Sequence, residues 1–413
     1  MRLRIAYVSP LNPTPNGISD YSEMLAPALA EHADLVLYSD CGRPSNPAIA
    51  ERFVVRPVAH LARHRTEHDL RLYQFGNSPD HQSAFESFRR MPGVLTLHEP
   101  FLHHAYHGIS RTEYIREAFY DRGVPDRAWA SGMRQALVAD DRAALSEVLL
   151  IGRLLDASLG IVVHSQAARR TVEDYLAARM RRSRVNVAVI PHPMQLDEVI
   201  PMREARVEFG LPVEGLVFGV PGMIHRTKEP DLILTAFADV ARQLPGAHLV
   251  FIGQIDPHDN WPATAKQLGV AQHVTFLDRV DPVGRMHRAM AACDVLINLR
   301  KPSLGETSGT AMRALALGRP VVVRDAGWYH ELPHDTCARI GASAGAAELS
   351  ELLLALAKSA DARQALGETA RRYIQSHCSV TTVAGRYAVF LEGTYDYHVK
   401  TMASSYPRPF TSQ

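Results

Sequence analysis

Short runs of β-branched and aliphatic residues alternate with stretches of helical periodicity along the whole chain, and the alternation starts afresh near its middle. A pattern of this kind points to parallel sheets with crossover helices. In the first half, strands are predicted at Arg4–Ser9, Asp34–Tyr38, Arg71–Phe75, Val94–His98, Gly160–His164 and Val187–Ile190. A first helix is predicted over Gly17–His32, after an N-P-T-P-N-G turn. The second series has strands at Leu216–Val220, His248–Ile252, Val274–Leu277, Val295–Leu299 and Pro320–Arg324. Between the series lies the Pro-punctuated stretch Gln195–Val213, read as a linker. The expected organisation is therefore one Rossmann-like lobe over 1–195 and another over 196–378. A helix and tail over 379–413 is expected to cross back to the first lobe. Two such α/β lobes would turn the carboxyl ends of their strands toward a shared central cleft. Periodicity stops there, because the same architecture serves kinases, synthetases, epimerases and periplasmic binding proteins.

Composition removes some classes of function. Lys plus Arg (45) nearly cancels Asp plus Glu (44), so no global field recruits nucleic acid. Cys41, Cys293, Cys337 and Cys378 form no CxxC pair and no ligand spacing with His, which suits free thiols in a reducing cytoplasm. The opening MRLRIAYVSP is too short and Pro-interrupted for a signal peptide, and no apolar run is long enough to span a bilayer. The expectation is a cytoplasmic protein, soluble or peripheral at the membrane.

Chemistry concentrates in Leu299–Asp325, LRKPSLGETSGTAMRALALGRPVVVRD. A strand runs into a loop carrying Gly305, Glu306, Thr307, Ser308 and Gly309, and a helix opens at about Thr310. Free backbone N–H groups at a helix start, beside a small Gly and hydroxyl side chains, form a site for phosphate oxygens. Ser and Thr are also favoured as simple N-caps, but a cap does not call for Glu306 in front of it.

This segment resembles the donor site of glycosyltransferase family 4, the retaining nucleotide-sugar enzymes of GT-B fold, and the resemblance continues over nearly the whole chain. Glu306 matches the first Glu of the family's paired-Glu signature, and Gly318-Arg319-Pro320-Val321-Val322 matches its end. The second Glu, which in the family holds the nucleotide ribose, is absent: Ala314 or Arg313 stands there. The resemblance makes Gly222–Lys228 the diphosphate loop, with Lys228 as its lysine and Met223 where an Arg is usual. Arg226 and Arg300 are the candidates for that missing charge. In the first lobe, His98 of His98-Glu99-Pro100 matches a His that contacts the donor sugar, and Gly17 the glycine loop near the phosphates. Leu277, Arg279 and Val280 fall in the loop whose backbone meets the base, with Asp278 where a Gly is usual. Tyr73–Asn77 and Val163–Ser165 sit at strand ends on the first-lobe side.

The resemblance thus implies a metal-independent hexosyltransferase, without cofactor, using a UDP- or GDP-sugar. Glu306, His98 and Lys228 would be catalytic; Thr307, Ser308, Gly309 and Thr310 would hold phosphate. The acceptor would be a glycan, a lipid-linked molecule or a small molecule, as in polysaccharide biosynthesis. No Asp-x-Asp occurs to hold a divalent metal on the diphosphate. His103, His104 and His107 have near-helical spacing but no carboxylate cluster to join them in a metal site. The basic stretch Arg169, Arg170, Arg179, Arg181, Arg182 and Arg184 suits either anionic lipid or a solvated helix face. Two alternatives stand beside the transferase: a nucleotide-sugar epimerase of the same fold, and a non-catalytic nucleotide-sugar or glycan-binding protein.

Overall fold

The protein is described by a computed structural model covering residues 2–405, apart from 107–108, 124–125, 140, 179–184, 197–199, 281–282 and 304. His107 and the basic end Arg179, Arg181, Arg182 and Arg184 lie outside the described residues. The chain divides into two compact units. One comprises Met1–Pro193, Leu304–Thr307 and Val380–Gln413; the other comprises Met194–Ser303 and Ser308–Ser379.

The described strands of the first unit are β1 (Arg4–Val8), β2 (Asp34–Tyr38), β3 (Val55–Arg56), β4 (Leu70–Phe75), β5 (Val94–Leu97), β6 (Gly160–Val163) and β7 (Val187–Val189). They form one parallel sheet in the order β3-β2-β1-β4-β5-β6-β7. β1, β5 and β6 are apolar almost throughout because both faces of the sheet are covered. One covering element is the helix Gly17–Leu29, opened by Asn16, whose side chain accepts from the Ile18 N–H. Another is the C-terminal helix Val380–Ser405. Tyr21 and Tyr387 join these helices through their hydroxyls at 2.7 Å, and the Thr96 hydroxyl of β5 lies 3.1 Å from Tyr387.

In the second unit, β8 (Val217–Pro221), β9 (His248–Ile252), β10 (Val274–Leu277), β11 (Val295–Asn298), β12 (Val321–Arg324) and β13 (Ala338–Ile340) form a parallel sheet. Their order is β10-β9-β8-β11-β12-β13. Apolar clusters cover both of its faces as well. In each unit the chain steps outward from its first strand, then returns to add the remaining strands on the other side. The reversal falls between β1 and β4 and again between β8 and β11. Such switch points open a crevice at the strand carboxyl ends, where open α/β sheets take ligands.

Five of the eleven predicted strands run one residue past the observed carboxyl end, five end where predicted, and Leu216–Val220 stops one residue short. The first helix ends at Leu29, before the predicted His32, and β3 and β13 have no predicted counterpart.

Candidate active site

At the carboxyl end of β8 the chain turns through Gly222, at φ +89°, into the 3-10 turn Arg226–Lys228. A Cβ on Gly222 would stand 2.5 Å from Lys228 Nζ and 3.1 Å from Thr310 Cγ2. A side chain there would displace both, so Gly222 is the point at which the loop after β8 reaches the helix after β11. Thr227, itself buried, ties the same loop to the segment after β11: its carbonyl accepts from Lys301 N–H and its hydroxyl from Arg300 Nη1, at 2.8 Å each. Lys228 Nζ donates to the Pro221 carbonyl. Desolvation, with the charge of Arg300 as a smaller cause, pulls the ammonium down to about 7.

The helix Gly309–Ala316 begins with Ser308 as its N-cap. Around that cap the protons can be followed one by one. Asn298, the polar residue that closes β11, donates from Nδ2 to Thr310 Oγ1 at 2.7 Å. Ser308 Oγ donates to Asn298 Oδ1 at 3.0 Å, so the 3.1 Å contact between the two hydroxyls must run from Thr310 to Ser308. Tyr329 donates a further bond to Asn298 Oδ1 at 2.5 Å. Both hydroxyl protons are therefore spent inside this closed ring. The Ser308 and Thr310 hydroxyls, expected at the phosphate, thus bond to one another and to Asn298 here. Ser308 Oγ caps Ala311 N–H at 3.2 Å. The N–H groups of Gly309 and Thr310 make no hydrogen bond to the protein among the described residues. Two aligned amides at a helix start are the donors an anion requires.

Of the two arginines proposed for the missing charge, Arg226 is largely exposed and engaged by Asp259 at 2.7 Å. Arg300 stands beside Lys228 and is the better placed. Met223 is 60% exposed. Arg313, at one of the two positions counted for the absent ribose-binding Glu, lies 3.1 Å from His287 Nε2. Leu277 ends β10 and Val280 packs on the core, while Arg279 N–H is bonded to Asp278 Oδ1.

The other expected residues belong to the first unit. Glu306 and Thr307 lie in the short segment that groups with it; Glu306 is half-buried, and the Thr307 hydroxyl is buried with no hydrogen-bond partner. Gly17 opens the first helix, and a Cβ there would meet nothing within 4 Å. The close approach is instead at Gly76, where a Cβ would lie 2.3 Å from Ile18 Cδ1.

His98 is part of a relay. His164 Nδ1 lies 2.8 Å from the Ile190 carbonyl and must donate to it, which leaves Nε2 as an acceptor on the neutral ring. His98 Nδ1, 3.1 Å away, then carries a proton and donates it to His164. His98 Nε2 is left as an acceptor, and Gln74, 3.0 Å away, must offer its NH2 group, amide oxygen and nitrogen being interchangeable in outline. Burial holds both rings neutral, His164 at about 4 and His98 well below its ordinary value, with the neighbouring histidines adding to the effect on His98. Tyr21 packs edge-on against His98 and His192, with ring centroids 4.5 and 4.9 Å away. His98 is thus fully engaged through its nitrogens. His103 is committed to the Tyr114 hydroxyl and the Val148 carbonyl at 2.8 Å each, and His104 to Asn77.

Sequence reasoning missed Asn298 and Tyr329; it placed Thr227 in the loop after β8 and Gln74 and His164 at strand ends, but not the contacts they make. Asn298 had a readable signal: a polar residue ending the apolar run Val295–Asn298.

A lysine, an arginine and free helix-start amides at the switch point of a parallel α/β unit are donors of the kind that suit a phosphorylated ligand. Residues 201–373 of this chain match the family described as Glycosyl transferases group 1. It is 31% identical over 183 residues to a D-inositol 3-phosphate glycosyltransferase of Segniliparus rotundus, covering 43% of this chain and 39% of that one. The protein of that name from Mycobacterium leprae is 30% identical over 257 residues, covering 53% and 56%. The chain thus spans roughly two fifths to just over half the length of these relatives. Among solved structures, Anabaena HepE in complex with UDP matches 95% of this chain and all of its own, with TM-score 0.67 and 16% identity. WaaG, a glycosyltransferase involved in lipopolysaccharide biosynthesis, matches 94% and 100%, with TM-score 0.63 and 16% identity. The fold is GT-B, two Rossmann-like parallel-sheet domains.

Proposed function

We propose that this protein is a retaining glycosyltransferase that moves a hexose-type sugar from a nucleoside diphosphate, UDP foremost, to a hydroxyl-bearing acceptor. The observation that carries the reading is the meeting, around Gly222, of Lys228, Arg300 and the free amides of Gly309 and Thr310. Three kinds of positive electrostatics converge where a diphosphate leaving group would gather charge. Glu306 would stabilise the positive charge growing at the anomeric carbon. His98 would meet the sugar through its ring edge, since both its nitrogens are engaged. The second unit's match to glycosyl transferases group 1 supports this reading, as does the UDP named for a protein of similar fold.

The test is release of nucleoside diphosphate from a panel of UDP- and GDP-sugars, with water standing in slowly for the acceptor, in the presence of EDTA. The expected outcome is release from one donor class that persists in the chelator, because side chains and amides neutralise the diphosphate. Binding without turnover, or conversion to an epimeric nucleotide sugar, would replace the transferase reading with one of its two alternatives.

A further inference from the structure

The first unit carries a cavity of about 190 Å³ at the carboxyl ends of β1 and β2, beside the switch point, with no residue of the His98 relay in its lining. It lies below the ~300–1,000 Å³ usual for drug-sized ligands, so its occupant is about one ring in size. Val8 and Val58, both buried, supply an apolar wall. Ser39 is 3% exposed, and its Oγ has no hydrogen-bond partner. A buried hydroxyl left unpaired carries a desolvation cost that a ligand hydroxyl would relieve.

Two carboxylates complete the lining. Asp40 Oδ1 accepts from Val58 N–H at 2.9 Å. Asp80 Oδ2 accepts from Asn16 Nδ2 at 2.9 Å and from Ser78 Oγ at 2.7 Å. Asp40 Oδ2 and Asp80 Oδ1 accept no hydrogen bond among the described residues. No Lys, Arg or His lines the cavity. Arg56 is held by Glu67 at 2.8 Å, Arg43 is exposed and outside the lining, and His81, beside Asp80, is kept neutral by burial at about 4.

We infer that this cavity binds a neutral or amine-bearing polyhydroxyl ring, a sugar or cyclic polyol, and excludes phosphorylated ones. The apolar wall takes the C–H face of the ring, and the carboxylates accept its hydroxyl or ammonium protons. A phosphate would face two like charges with no cation to offset them, a juxtaposition that costs several kcal/mol in an interface. Resting on the transferase reading, this assigns the cavity to the acceptor. It also sets the acceptor apart from the inositol phosphate for which two relatives are named.

Cys41 lines the same cavity and is half-buried, whereas Cys293, Cys337 and Cys378 are buried, so alkylation of Cys41 reports occupancy. Iodoacetamide labelling of the full chain would be followed by mass spectrometry with glucose, glucosamine, myo-inositol or glucose 6-phosphate present, and UDP binding would be measured on the same sample. At roughly ten times its Kd, a bound ring slows labelling about tenfold by mass action. At least one of the three unphosphorylated probes is expected to do so, glucose 6-phosphate is not, and the exposed pair Asp40→Asn with Asp80→Asn is expected to abolish protection. Protection by glucose 6-phosphate equal to that by glucose, or by none of the four, would overturn the inference. Failure of all four with UDP binding intact leaves the transferase reading standing; sugar protection without UDP binding removes that reading and keeps the cavity as a sugar site.

Discussion

Lys228 is held in the unliganded protein in a state that a diphosphate would change. Its ammonium is pulled down to about 7 by burial and by Arg300, so above that pH the free protein holds it largely neutral. A diphosphate stabilises the charged form. Binding above pH 7 must therefore take up a proton, and affinity should fall as pH rises from 7 to 9, by as much as roughly tenfold per unit. Titrations of UDP into wild type and Lys228→Met across that range check this, since the ligand's own titration is common to both. An equal slope in the variant would contradict the assignment. The role proposed for Glu306 falls at a different moment. A charge aimed at the transition state works mainly there, so Glu306→Gln should lower turnover far more than donor affinity. Steady-state kinetics with near-normal turnover in Glu306→Gln would remove it from catalysis.

At the level of elements, the helix Pro230–Gln243 begins directly after Lys228, on Glu229, which holds φ +54°. A non-glycine residue in that region is strained and persists only when its surroundings hold it there. Arg324 at the end of β12 supplies the hold, grasping the Glu229 carboxylate with two bonds of 2.7 Å while its other donors reach the carbonyls of Gly341, Ala342 and Ala344. Arg324→Met leaves that carboxylate without its cation and should lower unfolding free energy by about 3–5 kcal/mol. Adding Glu229→Gly should recover part of the loss, since it removes both the orphaned charge and the strained φ. Chemical denaturation of the three proteins decides it, and a single variant as stable as wild type would contradict the account. Elements of this kind also show what sequence could reveal. The interior strands were legible because burial on both faces makes them uninterrupted apolar runs. β3 and β13 are edge strands of two and three residues, defined by their pairing more than by any side-chain pattern. Gly222, Lys228 and Ser308 could be picked out from local motifs. The ring through Asn298 and the relay from Ile190 to Gln74 could not, because each needs partners far apart in sequence that only the sheet brings together.

At the scale of the molecule, acid should act unevenly. Burial lowers His81, His103 and His164 to about 4 and holds His98 well below its ordinary value, all in the first unit. Groups with depressed folded values contribute full stability above about 6.5, the unfolded value, and lose it as pH falls toward the folded one. Melting temperature should therefore drop between pH 6.5 and 4.5. His81→Phe, replacing a buried ring without a hydrogen-bond partner beside Phe75, should make that drop shallower by one proton; an unchanged slope would contradict it. Diphosphate binding, in the proposed reading, rests instead on the second unit. Calorimetric titration of UDP and of uridine into wild type and Lys228→Ala at pH 7 tests that most directly. Loss of a charge-assisted contact worth roughly 1.5–3 kcal/mol should weaken UDP binding by about one to two decades. Uridine, which offers no phosphate, should bind the variant as it binds wild type. Equal losses for the two ligands, or no loss for either, would contradict a diphosphate site at Lys228.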